Sequence, residues 1–286
     1  MAAPIVLVTC RAWPELSASD RRLAEALRTR GPRVEAAPWN GPFGPFADAA
    51  AVVVRSSWDY HEAPDAYRAW LDRLDPGRTF NAPDLIRWNL SKAHVLDLGA
   101  RGAPVPRARL VPATTTAVAQ ALVTLGLDEG VLKPVIGASG FGVERVRRGD
   151  EAGALARASS RKAMDEVLVQ EFVAGIERGE LAGVFFDGAF SHGLRRVPVS
   201  GEFRINTQYG GRMEAATLPD TVVQQMTAVL ALLPVPALYA RVDGVASGAR
   251  FTLMEVEVNE PGLGMDLVSG SADRFADALL ARLARR

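Results

Sequence analysis

Met254-Glu255-Val256-Glu257-Val258-Asn259-Glu260-Pro261-Gly262-Leu263 carries more structural information than any other ten residues of the chain. In a β-strand successive side chains point to opposite faces, so Glu255, Glu257 and Asn259 share one face and Met254, Val256 and Val258 the other. Three polar groups on one face of an otherwise apolar strand are costly unless they are solvated or employed. Oxygen donors of this kind suit Mg²⁺, which is typically held by one or two carboxylates together with substrate phosphates. Asp243, in Tyr239-Ala-Arg-Val-Asp243 on the neighbouring strand, is placed to complete the set. A solvated sheet face would show the same pattern.

Moving outward, Leu238–Val245 and Arg250–Val258 read as two strands turning at Ser247-Gly248. Leu181–Phe186 and Ala189–Arg195 read as a hairpin around Asp187-Gly188. Between these pairs lies Gly201-Glu-Phe-Arg204-Ile-Asn206-Thr-Gln-Tyr-Gly210-Gly211, a strand entering a Gly-Gly corner. Its Arg204 would aim a guanidinium at a transferring phosphoryl group or a developing oxyanion; an ordinary exposed arginine fits equally. Further upstream, Leu132-Lys133-Pro-Val-Ile-Gly137-Ala-Ser139-Gly140-Phe141-Gly142 puts three glycines between strands Val131–Pro134 and Gly142–Val146. Such a loop lets backbone N–H groups approach phosphate oxygens, with Lys133 adding positive charge. The spacing is neither a Walker A loop nor Gly-x-Gly-x-x-Gly, and a plain hairpin loop would look similar.

The N-terminal part alternates strand and helix: Ile5–Val8, a helix capped by Ser17 or Ser19 and closed by Gly31, strands Arg33–Ala37 and Ala50–Val54, and a helix over Ala66–Leu74. This rhythm implies a small parallel sheet, whose ligands gather at the carboxyl ends of its strands. Arg55-Ser-Ser-Trp58-Asp59-Tyr60-His61 lies at such an end. A guanidinium, an aromatic wall and an acid suit a small amino acid, though aromatic-rich loops serve packing as often. Pro76–Pro83 reads as a connector. A helix over Asn89–Leu98 carries Lys92. Strand Arg107–Val111, a helix from Thr114–Thr116 to Leu125, strand Val167–Phe172, helix Pro219–Leu233 and a last helix over Ala272–Leu283 follow.

The chain has 286 residues with 33 Lys+Arg against 33 Asp+Glu. That neutrality argues against nucleic acid, whose phosphates need clustered positive charge. No stretch reaches the ~20 apolar residues of a membrane span, and Ile5–Val8 is too short for a signal peptide. The single cysteine, Cys10, reads as a small buried hydrophobe in a reducing, cytoplasmic setting. Only Lys92, Lys133 and Lys162 break an otherwise all-arginine basic set.

Taken in order, these motifs resemble the ATP-grasp superfamily, in its glutathione-synthetase-like and ribosomal-protein glutamate-ligase branch. That branch carries a Gly-Asp-Phe-Arg-x-Asn…Gly-Gly segment, then an Asp, then a Glu-x-Asn-x-x-Pro-Gly-Leu strand, matched here by Gly201–Gly211, Asp243 and Glu257–Leu263. The tandem strands and Trp58-Asp59-Tyr60 look most like the cycloserine-forming ATP-grasp ligases. The resemblance implies an α/β (α+β) ATP-grasp fold: an N-terminal α/β domain over 1–88, a central subdomain over 89–173 and a C-terminal subdomain over 174–286. It implies ATP and Mg²⁺ as cofactors, with Lys92 and Lys133 on the phosphates and Gly137–Gly142 as the loop above them. Gln170-Glu171-Phe172-Val173 would meet the adenine edge, and Glu180, or alternatively Glu177, the ribose. Asp243, Glu257 and Asn259 would hold the metal, and Arg204 would steady the acyl phosphate. Glu255 departs from a position often apolar beneath adenine, so the main metal carboxylate is either Glu255 or Glu257. Glu260 replaces a small residue, and Lys162 matches no role.

The implied activity is ATP-dependent carboxylate–amine ligation through an acyl phosphate on a small amino-acid-like substrate, with cyclisation as in cycloserine formation the sharpest form. The alternatives are a dipeptide- or peptide-modifying ligase, or a nucleotide-binding module without ligation. Arg55, Trp58, Asp59 and Tyr60 are candidate substrate contacts. His192 is a candidate for acid–base work, whereas His61 and His94 are not. A homodimer is an allowed assembly, with no interface located by the sequence.

Overall fold

The computed structural model describes residues 3–160 and 164–285, so Lys162 lies outside it. Unbroken apolar runs build the first sheet. β1 (Ile5–Thr9), β2 (Val34–Pro38), β3 (Ala51–Val54) and β4 (Thr79–Phe80) lie parallel in the order β2-β1-β3-β4. Every residue of β1 and β3 is buried, as strands covered on both faces require. Helices α1 (Ala18–Thr29), α2 (Gly44–Ala47) and α3 (Pro64–Arg73) connect them. Ser17 starts α1, its Oγ accepting from the Asp20 N–H at 3.0 Å. The Pro76–Pro83 connector contains β4, too short to announce itself by pattern.

The helix expected over Asn89–Leu98 is two helices, α4 (Pro83–Leu90) and α5 (His94–Ala100). Ser91 adopts an extended conformation (φ −92°, ψ 127°) and stops α4. Lys92 sits in the break, donating its N–H to the Val135 carbonyl at 2.7 Å.

The second sheet is antiparallel, β5-β8-β6-β7, from β5 (Ala108–Pro112), β6 (Glu129–Pro134), β7 (Glu144–Arg147) and β8 (Glu166–Glu171). Helices α6 (Thr115–Leu125) and α7 (Glu151–Ala158) cover it, burying Val118, Leu122, Leu132, Val146 and Val169. The alanine-rich α7 was not expected among the strand signals of this region.

The third sheet, β11-β10-β9-β12-β13, is also antiparallel. It is formed by β9 (Glu180–Phe186), β10 (Ala189–Val197), β11 (Arg212–Ala216), β12 (Tyr239–Ser247) and β13 (Arg250–Glu257). The β9–β10 hairpin turns at Asp187-Gly188, both with positive φ. One face packs Phe185, Leu253 and Val256 against Val222 and Met226 of α8 (Asp220–Leu230). On the other, Phe186 stacks on Phe275 of α9 (Ser271–Ala284) with centroids 4.5 Å apart. The strand expected from Gly201 is irregular backbone leading to a 3₁₀ turn at Thr207–Tyr209, and β11 begins only after Gly210-Gly211. No helix among the described residues is long and apolar enough to cross a membrane.

Buried polar groups join the first sheet to the third. Asn81 donates to the carbonyls of Tyr239 and Val258, both at 2.8 Å, and Asn89 donates to Val256 while accepting from Val258 N–H. Arg55, only 1% exposed, donates from Nε to Asp20 at 2.9 Å and from Nη2 to the Pro261 carbonyl at 2.6 Å, with its guanidinium 5.0 Å from the Tyr239 ring centre. Truncating one partner of such a pair strands a buried charge. Arg55→Ala is therefore expected to lower stability by about 3 kcal/mol, near the lower end of the ~3–5 kcal/mol range for such losses. A denaturant titration beside an Arg55→Met/Asp20→Leu double variant checks this, the double variant recovering part of the loss.

Candidate active site

The third sheet presents one charged face, and strand register explains its composition. Asp243 pairs with Glu255, Arg241 with Glu257 and Arg196 with Glu180. A β-bulge between Asp243 and Gly244 leaves Met254 without a partner on β12. The alternation expected of this strand therefore breaks there: Val256 and Val258 are buried in the core, whereas Met254 lines the cleft with Glu255.

Arginines knit these carboxylates together. Arg241 donates to Asp243 at 2.7 Å and to Glu257 at 2.6 Å, and Arg196 reaches Asp243 at 3.0 Å and Glu180 at 3.3 Å. Burial, with Asp243 nearby, raises the Glu180 carboxyl to about 8. Burial also favours the neutral forms of Lys92 and Glu255, yet their 2.7 Å ion pair outweighs it: Glu255 is held at about 2 and Lys92 is raised. Lys133 stands opposite. Burial and the charge of Lys92 push its amine down to about 8, and no carboxylate lies within salt-bridge distance among the described residues.

A cleft lies between the second and third sheets, lined by residues of both. Part of its lining, a slot, is formed by Val131, Gln170, Phe172, Val173, Ile176 and Met254. Gln170 is fully buried and its Oε1 has no donor, an acceptor left ready for a ligand N–H. Glu171 pairs with Arg107 at 2.8 Å. Glu180 lines the cleft, whereas Glu177 is exposed beside Arg145. The glycine loop also lines the cleft, as its roof. Tyr60 reaches the Gly137 carbonyl at 3.5 Å, Tyr209 the Gly140 carbonyl at 3.2 Å, and Gln208 donates to the Ser139 carbonyl. Gly140 has φ +73°, and a Cβ there would stand 2.5 Å from Asn206 Oδ1; at Gly142 (φ +66°) it would meet Pro134 at 2.6 Å. Phe141 lies against His61, ring centres 5.5 Å apart.

Arg204 lines the cleft with its guanidinium 3.9 Å from the Tyr209 ring centre, its Nη2 on Glu202 at 2.6 Å and its Nη1 near Glu144 at 3.4 Å. Lys92, Lys133, Glu180, Arg204, Glu255 and Glu257 thus share one cavity. Asp243 lies fully buried beneath it, reached through Arg196 and Arg241. Asn259 does not join Glu257 on the cleft wall. β13 ends at Glu257, the alternation stops with it, and Asn259 Oδ1 accepts instead from the Tyr67 hydroxyl at 2.7 Å.

The N-terminal candidates divide. Tyr60 lines the cleft, and Trp58 donates its indole N–H to the Glu260 carbonyl at 3.1 Å. Asp59 turns away, accepting from Trp39 and Asn40, and Arg55 is the buried strut described above. His192 is also buried, with Nε2 on the Leu263 carbonyl at 2.7 Å and its ionisation suppressed by burial. The motif reading missed Arg196, Arg241 and the cleft-facing carboxylate of Glu260. Arg241 is two residues from Asp243 and so shares its face, a signal that was present; for Arg195-Arg196 only the register shows which side chain points inward.

A profile of the prokaryotic glutathione synthetase ATP-grasp domain matches residues 108–262, more than half of the chain, and a profile of the N-terminal domain of D-cycloserine synthetase DcsG matches residues 5–81. The cycloserine biosynthesis protein DcsG of Streptomyces lavendulae is 29% identical over 282 residues, covering 91% of this chain and 92% of that protein. A glutathione synthetase of Synechococcus elongatus is 29% identical over 220 residues, 75% of this chain and 64% of that protein. The crystal structure of D-cycloserine synthetase DcsG superposes with a TM-score of 0.86 at 27% identity, covering 98% of this chain and 100% of that one.

Lys133 supplies a pH test of the cleft. Its amine is pushed down to about 8, so as pH rises through 8 the affinity for inorganic tripolyphosphate should carry a downward step that a variant without the amine lacks. Calorimetric titration of the protein and of Lys133→Met checks this, the variant binding more weakly and without that step.

Proposed function

The chain belongs to the ATP-grasp family of the prokaryotic glutathione synthetases, a family of ATP-dependent ligases, and we propose that it joins the carboxylate of a small amino-acid-like substrate to an amine through an acyl phosphate. A carboxylate oxygen attacks the γ-phosphorus of ATP, the bond to the β,γ-bridging oxygen breaks, and ADP leaves. The amine then attacks the acyl carbon, the C–N bond forms, phosphate departs with the C–O electron pair, and the amine proton passes to solvent. The protein supplies position and field rather than a covalent group.

The observation that carries this reading is the state of the four cations lining the cleft. Lys92, Arg196 and Arg204 each have a carboxylate partner, whereas Lys133, at the foot of the glycine loop, has none among the described residues. A cation without a carboxylate partner beside a glycine-rich loop suits the β- and γ-phosphates. In the slot, the orphaned Gln170 Oε1 suits an adenine amino group, with Glu171, Phe172 and Val173 forming the rest of the adenine edge and Glu180 facing the ribose. Arg204 would steady the acyl phosphate and the oxyanion that follows. Tyr60, Tyr209 and Gln208 hold the roof that keeps water from the intermediate.

Mg²⁺ fits the donor set in part. Glu257 and the buried Asp243 are hard oxygen donors of the right kind, shared at present by Arg241, and Asn259 faces Tyr67. Glu257 and Asp243 would hold the ion, which when bound would neutralise charge on the phosphates. In this reading 1–88 supplies the substrate side, and 89–173 and 174–286 grip the nucleotide. Similarity to DcsG along nearly the whole chain supports ring closure by an internal nitrogen of an O-ureidoserine-type substrate as the sharpest form. A nucleotide-dependent reaction and a buried free thiol, Cys10, suit a cytoplasmic enzyme.

ATP is expected to raise the melting temperature, and an amino-acid panel to stimulate release of ADP and phosphate. Arg204→Ala should lower kcat by about 10²–10³-fold while leaving ATP binding intact. Undiminished turnover in that variant would assign the chain's chemistry to another group, and a wild-type protein unmoved by ATP would remove the nucleotide reading altogether.

A further inference from the structure

Five carboxylates line the cleft, and four have a cation within salt-bridge distance: Glu171 has Arg107, Glu180 has Arg196, Glu255 has Lys92 and Glu257 has Arg241. Glu260 has none among the described residues, although it is only 9% exposed. It is also the departure from the motif that the sequence comparison left without a role. A carboxyl buried without a cationic partner keeps its proton, and a cation arriving from outside would favour its charged form.

The position of Glu260 says which ligand brings that cation. The turn after β13 is clamped by the N-terminal sheet: Trp58 donates to the Glu260 carbonyl at 3.1 Å, Arg55 to the Pro261 carbonyl at 2.6 Å and Tyr67 to Asn259 Oδ1 at 2.7 Å. Glu260 and Tyr60 therefore line the cavity together. Lys133 and Glu260 are the amine and the carboxyl of the cleft without an ion-pair partner among the described residues, and they suit opposite ligands, phosphate for Lys133 and a cation held against an aromatic wall for Glu260.

We propose that Glu260 anchors the ammonium group of the amino-acid substrate and thereby selects α-amino carboxylates over plain carboxylates. This rests on the ligase reading above. The carboxylate accepts from the ammonium N–H, Tyr60 walls the site, and the substrate carboxyl is left pointing toward the phosphates beneath the glycine loop.

The test measures ADP release with Mg-ATP and a panel of D- and L-α-amino acids, O-ureidoserine included, each beside the carboxylate lacking only its α-amino group. The wild type is expected to favour the amino-bearing member of a productive pair at least tenfold in kcat/KM. Glu260→Gln should bring that ratio close to one, chiefly through KM, without weakening ATP binding or raising the Mg²⁺ concentration for half-maximal rate. Glu260→Asp, which retains the charge, should keep part of the preference. An unchanged ratio in Glu260→Gln overturns the ammonium site alone, and a raised Mg²⁺ requirement with an unchanged ratio assigns the residue to the metal instead. A wild-type protein that turns over no member of any pair, or binds no ATP, overturns the underlying ligase reading and this site with it.

Discussion

The structure depends on one electrostatic constraint, the burial of several carboxylates on a single sheet face. Removing an ion from water costs several kcal/mol even after relaxation, so Asp243 and Glu257 are held with Arg196 and Arg241 among them, and Glu180 beside them keeps its proton up to about 8. That arrangement demands a particular register between β9, β10, β12 and β13, since a slip of one residue would turn every charge into the core beside α8. The same constraint accounts for the bulge at Met254, which ends the strict pairing where an apolar floor under the slot replaces a polar one.

The roof is built on a different principle. A loop with glycines at positive φ has little intrinsic preference for one shape, yet here both of its flanks are tied, by Tyr60 from the first sheet and by Gln208 and Tyr209 from the segment before β11. Closing such a loop costs backbone entropy, and side chains from two distant parts of the chain repay it. Arg204, stacked on Tyr209 and paired with Glu202, belongs to the same assembly. Arg204 and a side chain that ties down the loop are thus in direct contact.

Much of this was legible in the sequence, because the chemistry imposes residue types at fixed spacing. Lys133, the glycine loop, Arg204 and Glu257 stand in one cavity as the motif order implied, and the apolar runs of β1 and β3 announced a parallel sheet. What was not legible has physical reasons. The break that presents Lys92 comes from the extended backbone of Ser91, and nothing in Asn-Leu-Ser-Lys forbids a continuous helix. Asn259 left the expected face because a strand's alternation lapses where its ladder ends. Arg55 looked like a carboxylate receptor from its place after β3, but its three partners, Asp20, Pro261 and Tyr239, come from remote segments that no local pattern reveals. Local motifs locate chemistry well, whereas the long-range polar struts of a core become visible only in three dimensions.

Those struts bear on any attempt to re-engineer the protein. Trp58, Arg55 and Tyr67 grip a turn some two hundred residues away, so the wall that carries Tyr60 and the floor that carries Glu260 form one piece encoded in two places. A chimera that exchanged only the first sheet with a relative's would bring a new wall against an old floor and lose the clasp between them. The module to transplant is a discontinuous one, the early loop together with the late turn.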